Sequence, residues 1–360
     1  MPYKTVPTPA HWSVEDLKRD QSWIYSIGSA QADHLRGTVQ AAYDPGKHMF
    51  DYCKDDFDLG SAREVIAAAF EEQRTGRGVS LVKGLPREGM SEIQFELLTW
   101  AIGLHFGVAR PQGKATQYIS AVRDAGQDYR HGGGRGYNTK ASLDFHIDGS
   151  DVVALTCYNA AKRGGMSMCS SSMTLHDRMV AERPDLLDLL YQPYSYSRQG
   201  EQAPGEAPFL RCPLYGVRDG RLFGRLNRNR VNMAQKLDGV APLTERQWEA
   251  LDLVEAIVRR PDVMFSMWLE PGDMQLINNH VVLHSRTEFE DHDETERKRL
   301  LFRLWLATPD SAALPPEWAE CYKSIEAGTV RGGIRGFEWN DACRAFEQRQ
   351  ASDLGMHVAN

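Results

Sequence analysis

The chain has 360 residues, of which 42% are hydrophobic and 25% are charged, and its formal net charge is −7. A chain of this length and composition can bury a large core, as ordinary globular proteins do. Because the net charge is negative and no block of Lys or Arg stands out, nucleic acids and anionic membranes are disfavoured as partners, and a small-molecule substrate is favoured.

The cysteines indicate a reduced protein. The six of them lie far apart, and no two form a C-x-x-C pair. Neither a zinc site nor a disulfide framework is indicated, so we expect free thiols and a cytoplasmic location. Because no long apolar run stands at the start of the sequence, we expect neither a signal peptide nor a membrane-spanning helix there.

The first hundred residues predict helices around one short strand. Residues 1–76 are expected to be mostly helical, with a helix that starts near Ser61, a capping residue followed by apolar residues at helical spacing. The run Gly78–Gly84 is β-like and is bounded by glycines, and residues 91–105 return to a helical period.

From about residue 108 onward, short β-prone runs alternate with turns rich in Gly, Asn, Asp and Pro, which predicts a sandwich or barrel. The clearest strand candidates are Thr116–Val122, Val152–Tyr158, Val263–Leu269 and Leu300–Leu306. Helical inserts are predicted around Thr174–Leu190 and over Thr244–Arg259. The glycine-rich stretch Gly126–Gly136 is expected to be a mobile loop, and the sequence leaves open whether it is an active-site lid or a plain surface loop.

Two distant stretches look like halves of one metal site. His146 and Asp148 are two residues apart, so both side chains point to the same face of a strand. The buried-strand-like run Met274–Ile277 is followed by a polar turn and then by His284, which can reach back into a barrel mouth. Two histidines and one carboxylate can hold Fe(II) on one face and leave the other positions open. An H-x-D pair alone is weak evidence, because most histidines are plain core or surface residues.

Arg299 and Arg303 lie in the most hydrophobic strand candidate of the C-terminal half and share parity, so they face the same way. An arginine that faces inward from an apolar strand needs an anionic partner. A structural salt bridge is one possibility, and a dicarboxylate co-substrate bound by bidentate pairing is another.

Taken together, these motifs resemble the taurine dioxygenase and 2,4-dichlorophenoxyacetate dioxygenase (TauD/TfdA) family of Fe(II)/2-oxoglutarate oxygenases. The resemblance covers about residues 78–308 and rests on four linked motifs: His146-Ile147-Asp148, Gly164-Gly165-Met166-Ser167, Gly272-Asp273 through Asn279 to His284, and Arg299 with Arg303. Two departures are that Ser167 stands where the family often has Thr, and that the interval from His284 to Arg299 is a few residues longer than in the shortest members.

The resemblance implies a mainly β protein with flanking helices, built on a double-stranded β-helix (a cupin-like jelly roll). We expect a helical N-terminal region over residues 1–77 that packs on the core, a catalytic jelly roll over 78–308, and a peripheral extension over 309–360. A homo-oligomer is compatible with the family, although no feature of the sequence demonstrates one.

The resemblance also implies the roles of the site residues. His146, Asp148 and His284 would bind Fe(II), and His284 is preferred to its rival His280 because Arg286 follows it closely. The co-substrates would be 2-oxoglutarate and O₂. Arg299 would pair with the distal carboxylate of 2-oxoglutarate, helped by the hydroxyl of Ser167. Arg303 would contact the keto-acid end or the substrate.

The implied activity is oxidation, chiefly hydroxylation, of an unactivated C–H bond in a small polar, acidic or amino-acid-like metabolite, with decarboxylation of 2-oxoglutarate to succinate. Substrate contacts are assigned to Tyr137, Asn138, Tyr196 and Arg198, although residues of these types are more often structural or surface residues than contacts. Tyr118, Tyr194 and Arg225 are further candidates to line the pocket.

Several other activities stay open. Desaturation, cyclisation and demethylation use the same cofactors, and a jelly-roll binding protein without activity is the non-enzymatic alternative. Halogenation is disfavoured, because related halogenases lack the carboxylate that Asp148 supplies. A zinc hydrolase would typically use more His or Cys ligands, and it would leave Arg299 and Ser167 without a role.

Overall fold

The structure, a computed structural model, describes residues 7–126 and 136–358. The helices in this part of the chain are α1 Val14–Arg19, α2 Ser29–Ala42, α3 Ala62–Thr75, α4 Glu92–Phe106, α5 Ser172–Glu182, α6 Pro184–Leu190, α7 Arg228–Ala234, α8 Glu245–Val258, α9 Ala319–Tyr322 and α10 Asp341–Asp353. The strands are β1 Ile24–Ser26, β2 Val79–Lys83, β3 Val108–Ala109, β4 Ile119–Val122, β5 Val152–Asn159, β6 Arg163–Gly164, β7 Ser167–Ser171, β8 Tyr194–Ser197, β9 Phe209–Cys212, β10 Tyr215–Arg218, β11 Arg221–Gly224, β12 Phe265–Met267, β13 Met274–Asn278, β14 Val282–Arg286, β15 Phe289–Glu290, β16 Leu300–Ala307, β17 Thr329–Val330 and β18 His357–Val358.

Local sequence signals account for the ends of the main helices. The side chain of Ser91 accepts a hydrogen bond from the backbone of Gln94 and starts α4, and Thr244 starts α8 in the same way. The single helix predicted around Thr174–Leu190 is instead two helices, α5 and α6. Pro184 opens the second helix, because a proline lacks the N–H that would continue the first.

The larger sheet has the strand order β1-β2-β13-β5-β16-β3, and β4 also pairs with β16. Its central strands are antiparallel, whereas β1 runs parallel to β2 at the edge. The sequence predicted mostly helix over residues 1–76 and no strand there, so β1 is an addition to the predicted fold. The long strands β5 and β16 lie in the middle of the sheet, where they are fully paired.

The smaller sheet has the order β12-β7-β14, and isolated bridges extend it from His284 to His146 and from His146 to Asn227. A buried cluster joins the inner faces of the two sheets, with Leu81 and Val153 from the larger sheet and Cys169 and Val282 from the smaller one. Two sheets packed in this way, with helices outside them, confirm the predicted cupin-like jelly roll.

Helices cover both outer faces of the sandwich. Side chains of α2, α3 and α4 pack on the larger sheet, and side chains of α5, α6 and α8 pack on the smaller one. In β16, Phe302 and Leu304 point outward to the helices, while Leu301 and Trp305 belong to the cluster between the sheets. Because side chains alternate along a strand, Arg303 faces the interior together with Leu301 and Trp305.

The C-terminal residues pack on the jelly roll. Glu347 of α10 pairs with Arg110 at 2.8 Å, and Arg331 donates to Asp151 at 2.7 Å. The division of the chain at residues 77 and 308 stays a prediction. Within the described ranges, no helix is both long and apolar enough to cross a membrane.

Candidate active site

The structure brings His146, Asp148 and His284 together. Each offers one ligand atom, and these atoms all lie within 4.8 Å of one another. Nε2 of His146 is 4.0 Å from Oδ1 of Asp148, and Nε2 of His284 is 3.7 Å from Oδ2 of the same carboxylate. The three residues that the resemblance assigned to a metal therefore form one cluster, although His284 is far from the other two in sequence.

Backbone pairing aligns the two imidazoles. The N–H groups of His146 and His284 each donate to the carbonyl of the other residue, at 3.0 and 2.9 Å. The side chains of such a pair lie on the same face, and here the ring centroids are 4.4 Å apart. Nδ1 of His146 is bonded to the carbonyl of Asp144 at 2.8 Å, so it carries the proton and leaves Nε2 free to bind a metal.

The charges of the cluster suit a divalent cation. Burial lowers the pKa of His146, and burial together with the neighbouring His146 lowers the pKa of His284 to about 3, so both rings are neutral at pH 7. Burial alone would raise the pKa of Asp148, but Arg303 and the two histidines hold it at about 2. Metal ligands must be deprotonated in this way.

An unsatisfied atom also fits a bound metal. Oδ2 of Asp148 is buried and has no hydrogen-bond partner in the described part of the chain. A buried carboxylate oxygen without a partner costs free energy, so such an atom indicates a missing ligand. The residues present therefore fit an Fe(II) ion, and none of the three ligands has to change its protonation state to bind it.

His280, the rival of His284, lies outside the cluster. Its Nε2 is 2.9 Å from Oδ1 of Asp151, which also accepts from Nε of Arg331 at 2.7 Å. The backbone N–H of Thr308 donates to the other oxygen of Asp151 at 3.3 Å. This buried network ties the turn after β13 to the C-terminal residues, and it accounts for His280 without a metal.

Arg299 lines the same pocket as the cluster. Burial lowers the pKa of its guanidinium to about 10. Within the described residues the guanidinium makes no hydrogen bond or ion pair, and its one ring contact is with Phe289, at 5.0 Å. Asp291 accepts from the backbone N–H of Arg299, at 2.8 Å. A buried guanidinium of this kind suits a carboxylate ligand.

The glycines Gly164 and Gly165 allow a close backbone approach beside Arg299. Gly164 and Gly165 have φ values of +67° and +76°, in the left-handed region that favours glycine. A Cβ on Gly164 would lie 2.0 Å from the carbonyl oxygen of Glu288, and a Cβ on Gly165 would lie 3.0 Å from Nε of Arg299. The G-G-x-S motif therefore lets two chain segments approach closely beside this arginine.

Ser167 and Arg303 also line the pocket. The hydroxyl of Ser167 donates to Oε1 of Gln275 at 2.8 Å. Nη1 of Arg303 is 3.4 Å from Oδ1 of Asp148, and its Nε donates to Gln112 at 2.9 Å. Gln112 in turn donates to the carbonyl of Arg303. Sequence reasoning missed both glutamines, because a single buried amide gives no periodic signal.

The substrate candidates fall into two groups. Tyr196 and Arg198 line the pocket. Asn138 is not among the described lining residues, and its carbonyl accepts from the backbone of Ala125 at 3.0 Å. The side chain of Tyr137 and residues 127–135 of the glycine-rich loop lie outside the described residues, so these two predictions have no structural counterpart here.

Other pocket residues were not assigned from the sequence. Asn227, Asn229 and Arg230 come from the start of α7, and residues 332–335 come from the segment after β17. Arg331, which is fixed by Asp151, leads directly into this segment. The signal that could have revealed it is the Gly332-Gly333 pair: a Cβ on Gly332 would lie 2.3 Å from the carbonyl oxygen of Gly149, beside Asp148.

Comparison with solved structures shows the same fold. An asparagine oxygenase in complex with Fe(II), hydroxyasparagine and succinate superposes with a TM-score of 0.59, at 18% identity, over 86% of this chain and all of that one. The non-heme iron oxygenase OrfP, in complex with Fe and alpha-ketoglutaric acid, superposes with a TM-score of 0.57, at 15% identity, over 79% of this chain and 94% of that one.

Sequence comparison gives the family. FR-33289 synthase of Streptomyces rubellomurinus is 30% identical over 317 residues, which are 87% of this chain and 93% of that protein. The profile of the family "Taurine catabolism dioxygenase TauD, TfdA family" matches residues 43–305. This match contains the His146, Asp148 and His284 cluster as well as Arg299 and Arg303. The chain belongs to the TauD/TfdA dioxygenase family.

Proposed function

We propose that this protein is an Fe(II)- and 2-oxoglutarate-dependent dioxygenase that hydroxylates a C–H bond of a small polar metabolite, acidic or amino-acid-like. The observation that carries the proposal is that the cluster of His146, Asp148 and His284 opens on the same pocket as the unpaired guanidinium of Arg299. The oxygenases of similar fold, whose structures hold iron with succinate or alpha-ketoglutaric acid, support the same chemistry.

Each residue of the cluster has a distinct task. Nε2 of His146, Nε2 of His284 and the carboxylate of Asp148 would hold Fe(II), which supplies the site where O₂ is activated. Asp144 fixes the tautomer of His146 through its carbonyl. Arg303 lies beside the Asp148 carboxylate and keeps it ionised. The hydrogen bond from Arg303 to Gln112 fixes the orientation of the guanidinium.

Arg299 and Ser167 would bind the distal carboxylate of 2-oxoglutarate. The guanidinium offers a planar pair of donors. The Ser167 hydroxyl can donate its proton either to Gln275 or to the ligand. Leu155 and Leu301 line the same pocket, and apolar side chains there exclude water from the reacting groups.

The charge of the pocket supports an acidic substrate. Its described lining holds eight arginine or lysine side chains and three carboxylates, so an anion is attracted. We assign Tyr196 and Arg198, which line the pocket, as substrate contacts, while Tyr137 and Asn138 stay predictions from the sequence. Desaturation, cyclisation and demethylation remain alternatives, because they need the same cofactors.

Product analysis tests the proposal. Small carboxylic, sulfonic, phosphonic and amino acids are incubated with the protein, Fe(II), 2-oxoglutarate and O₂, and succinate is measured with the mass of the product. Hydroxylation adds one oxygen atom, whereas desaturation removes two hydrogen atoms. Asp148→Ala is the control and should form no succinate. Equal succinate formation by this variant would contradict the ligand assignment, and a protein that binds these acids without forming succinate would be a binding protein.

Two further expectations stay predictions. A homo-oligomer is compatible with the family and is checked by sedimentation. A cytoplasmic location is supported by the six cysteines, all of which are described and unpaired.

A further inference from the structure

Arg225 directly precedes residues that pair with the metal cluster. It follows β11 directly, and the two residues after it pair with the H-x-D segment: Leu226 accepts from the backbone of Ile147 at 2.9 Å, and Asn227 forms a bridge with His146. The side chain of Arg225 lines the same pocket as the cluster. A ligand held by this guanidinium therefore lies in the same pocket as the proposed iron site.

The Arg225 guanidinium has no carboxylate partner among the described residues. Its Nη1 contacts the sulfur atoms of Cys212 and Cys321, which are weak acceptors, and its Nε has no acceptor. Three aromatic rings surround the guanidinium: Tyr196 at 4.7 Å, Tyr322 at 5.8 Å and Trp318 at 6.0 Å. These stiff rings hold the charge in place without neutralising it.

Almost all other cations of the pocket have partners. The pairs are Arg230 with Glu201 at 3.1 Å, Lys323 with Glu206 at 2.7 Å, Arg198 with Glu206 at 3.9 Å, Arg303 with Asp148 at 3.4 Å, Arg286 with the carbonyls of Thr139 and Ala141, and Arg335 over the ring of Trp339 at 4.3 Å. Arg299, Arg225 and Arg335 lack a described anionic or carbonyl partner for the guanidinium. Arg299 is assigned to the co-substrate and Arg335 lies over the ring of Trp339, whereas Arg225 directly precedes the residues that pair with the H-x-D segment.

Tyr196 supplies a second unsatisfied donor. Its side chain is 1% exposed and lines the pocket beside Arg225, and its hydroxyl has no partner in the described ranges. A guanidinium and a phenol hydroxyl are a fitting donor set for the oxygens of an oxoanion. Buried donors of this kind are normally satisfied, so two together indicate a ligand.

We propose that Arg225, with Tyr196, binds the anionic group of the substrate, a carboxylate, sulfonate or phosphonate. The pocket then has two anion sites, Arg299 for 2-oxoglutarate and Arg225 for the substrate. This inference rests on the proposed function, because it takes the metal cluster as the reaction centre. Arg225 fixes the substrate by its charged end within the pocket onto which the cluster opens.

Calorimetry tests the proposal without turnover. The protein is loaded with Fe(II) and saturating 2-oxoglutarate under anaerobic conditions, so that Arg299 is occupied, and is titrated with acetate, methanesulfonate and methylphosphonate. We expect at least one of these anions to bind, and Arg225→Gln to weaken it tenfold or more. Arg225→Lys should restore part of the affinity, because it keeps the charge but not the paired donors. Arg211→Gln, at an exposed position of β9 that is not among the described lining residues, is the matched control and should bind like the wild type.

Two outcomes overturn the proposal. One is equal anion binding by wild type and Arg225→Gln, both folded as judged by melting temperature. The other is anion binding that appears only in Cys321→Ala, which would make a Cys321 thiolate the partner of Arg225 in the native protein. If the wild type fails to bind 2-oxoglutarate, the proposed function fails separately. The anion titration is then carried out with Arg299→Gln in the absence of 2-oxoglutarate, so that Arg299 offers no competing cation.

Discussion

The side chain of Asn279 holds the backbone of Asp148: its Oδ1 accepts the N–H of the aspartate at 3.0 Å. The same amide donates to the hydroxyl of Ser150 at 3.4 Å, and the backbone N–H of Asn279 donates to the carbonyl of Asp151. Asn279 is completely buried, so no water competes for these bonds. The turn after β13 thus fixes the carboxylate that stands between the two histidines.

Replacing Asn279 should weaken the metal site. In Asn279→Ala the Asp148 N–H loses its acceptor, and we expect the Kd for Fe(II) to rise by roughly 10- to 100-fold, the range typical for residues that orient metal ligands. The measurement is competition with a coloured chelator under anaerobic conditions. Asn340→Ala is the control, because that side chain caps α10 by accepting from the backbone of Ala342 and Cys343, away from the cluster. Equal losses in the two variants would contradict this role.

Replacing Arg299 should affect 2-oxoglutarate and spare the metal. Arg299→Gln removes a charge-assisted pair that contributes about 1.5–3 kcal/mol, so the Kd for 2-oxoglutarate should rise by roughly 10- to 100-fold. Fe(II) affinity should stay within about twofold of the wild type, since Arg299 is not a ligand. Arg297→Gln, an exposed position that pairs with Glu294, is the matched control. Unchanged 2-oxoglutarate affinity in Arg299→Gln would remove this residue from the site.

Replacing Gly165 should have two separable effects, one on stability and one on 2-oxoglutarate binding. Gly165→Ala introduces strain at a positive φ, about 1 kcal/mol, and also presses on Nε of Arg299. We therefore expect lower stability together with weaker 2-oxoglutarate binding. Gly239→Ala is the control for strain alone, because Gly239 has φ +78° and nothing within 4 Å of its Cβ position. Denaturant unfolding and calorimetry separate the effects, and normal 2-oxoglutarate affinity in Gly165→Ala would count against the close approach.

Acid should destabilise the fold through His280. Burial lowers the pKa of this histidine below its usual 6.5, although Asp151 acts in the opposite direction. Below pH 6.5 the unfolded chain therefore binds a proton that the folded chain does not, and stability falls as the pH decreases, by at most about 1.4 kcal/mol per pH unit. Above pH 6.5 this contribution is constant.

Urea unfolding of wild type and His280→Gln from pH 8 to pH 5 checks this dependence. The variant lacks the titrating ring, so its free energy of unfolding should fall less than that of the wild type as the pH decreases below 6.5. A difference between the two proteins that stays constant over the whole range would show that the pKa of His280 is not lowered by folding.

Much of the cluster follows from periodicity in the sequence. His146 and Asp148 are two residues apart, and Arg299 and Arg303 are four residues apart, so in a strand each pair would share one face. The structure gives His146 an isolated β-bridge instead of a strand, but the two ligands still meet. The motif order then selects His284 over His280, and the structure puts His284 in the cluster while His280 bonds to Asp151.

What the sequence could not supply are contacts between elements far apart in the chain. Gln112 orients Arg303 from 191 residues away, and Gln275 meets Ser167 from 108 residues away. Strand β1 joins the large sheet through backbone hydrogen bonds, which leave no pattern in a run of three residues. Such pairings depend on tertiary packing, which overrides local propensity.

The most direct test of the central claim is anaerobic titration of the metal-free protein with Fe(II) and 2-oxoglutarate, followed by visible absorption. Binding of the keto acid to iron in the proposed site should give a weak charge-transfer band. We expect this band in the wild type and its loss in His284→Ala and in Arg299→Ala. A folded wild-type protein without the band, or a band that persists in His284→Ala, would contradict the assignment of His146, Asp148 and His284 as an iron site.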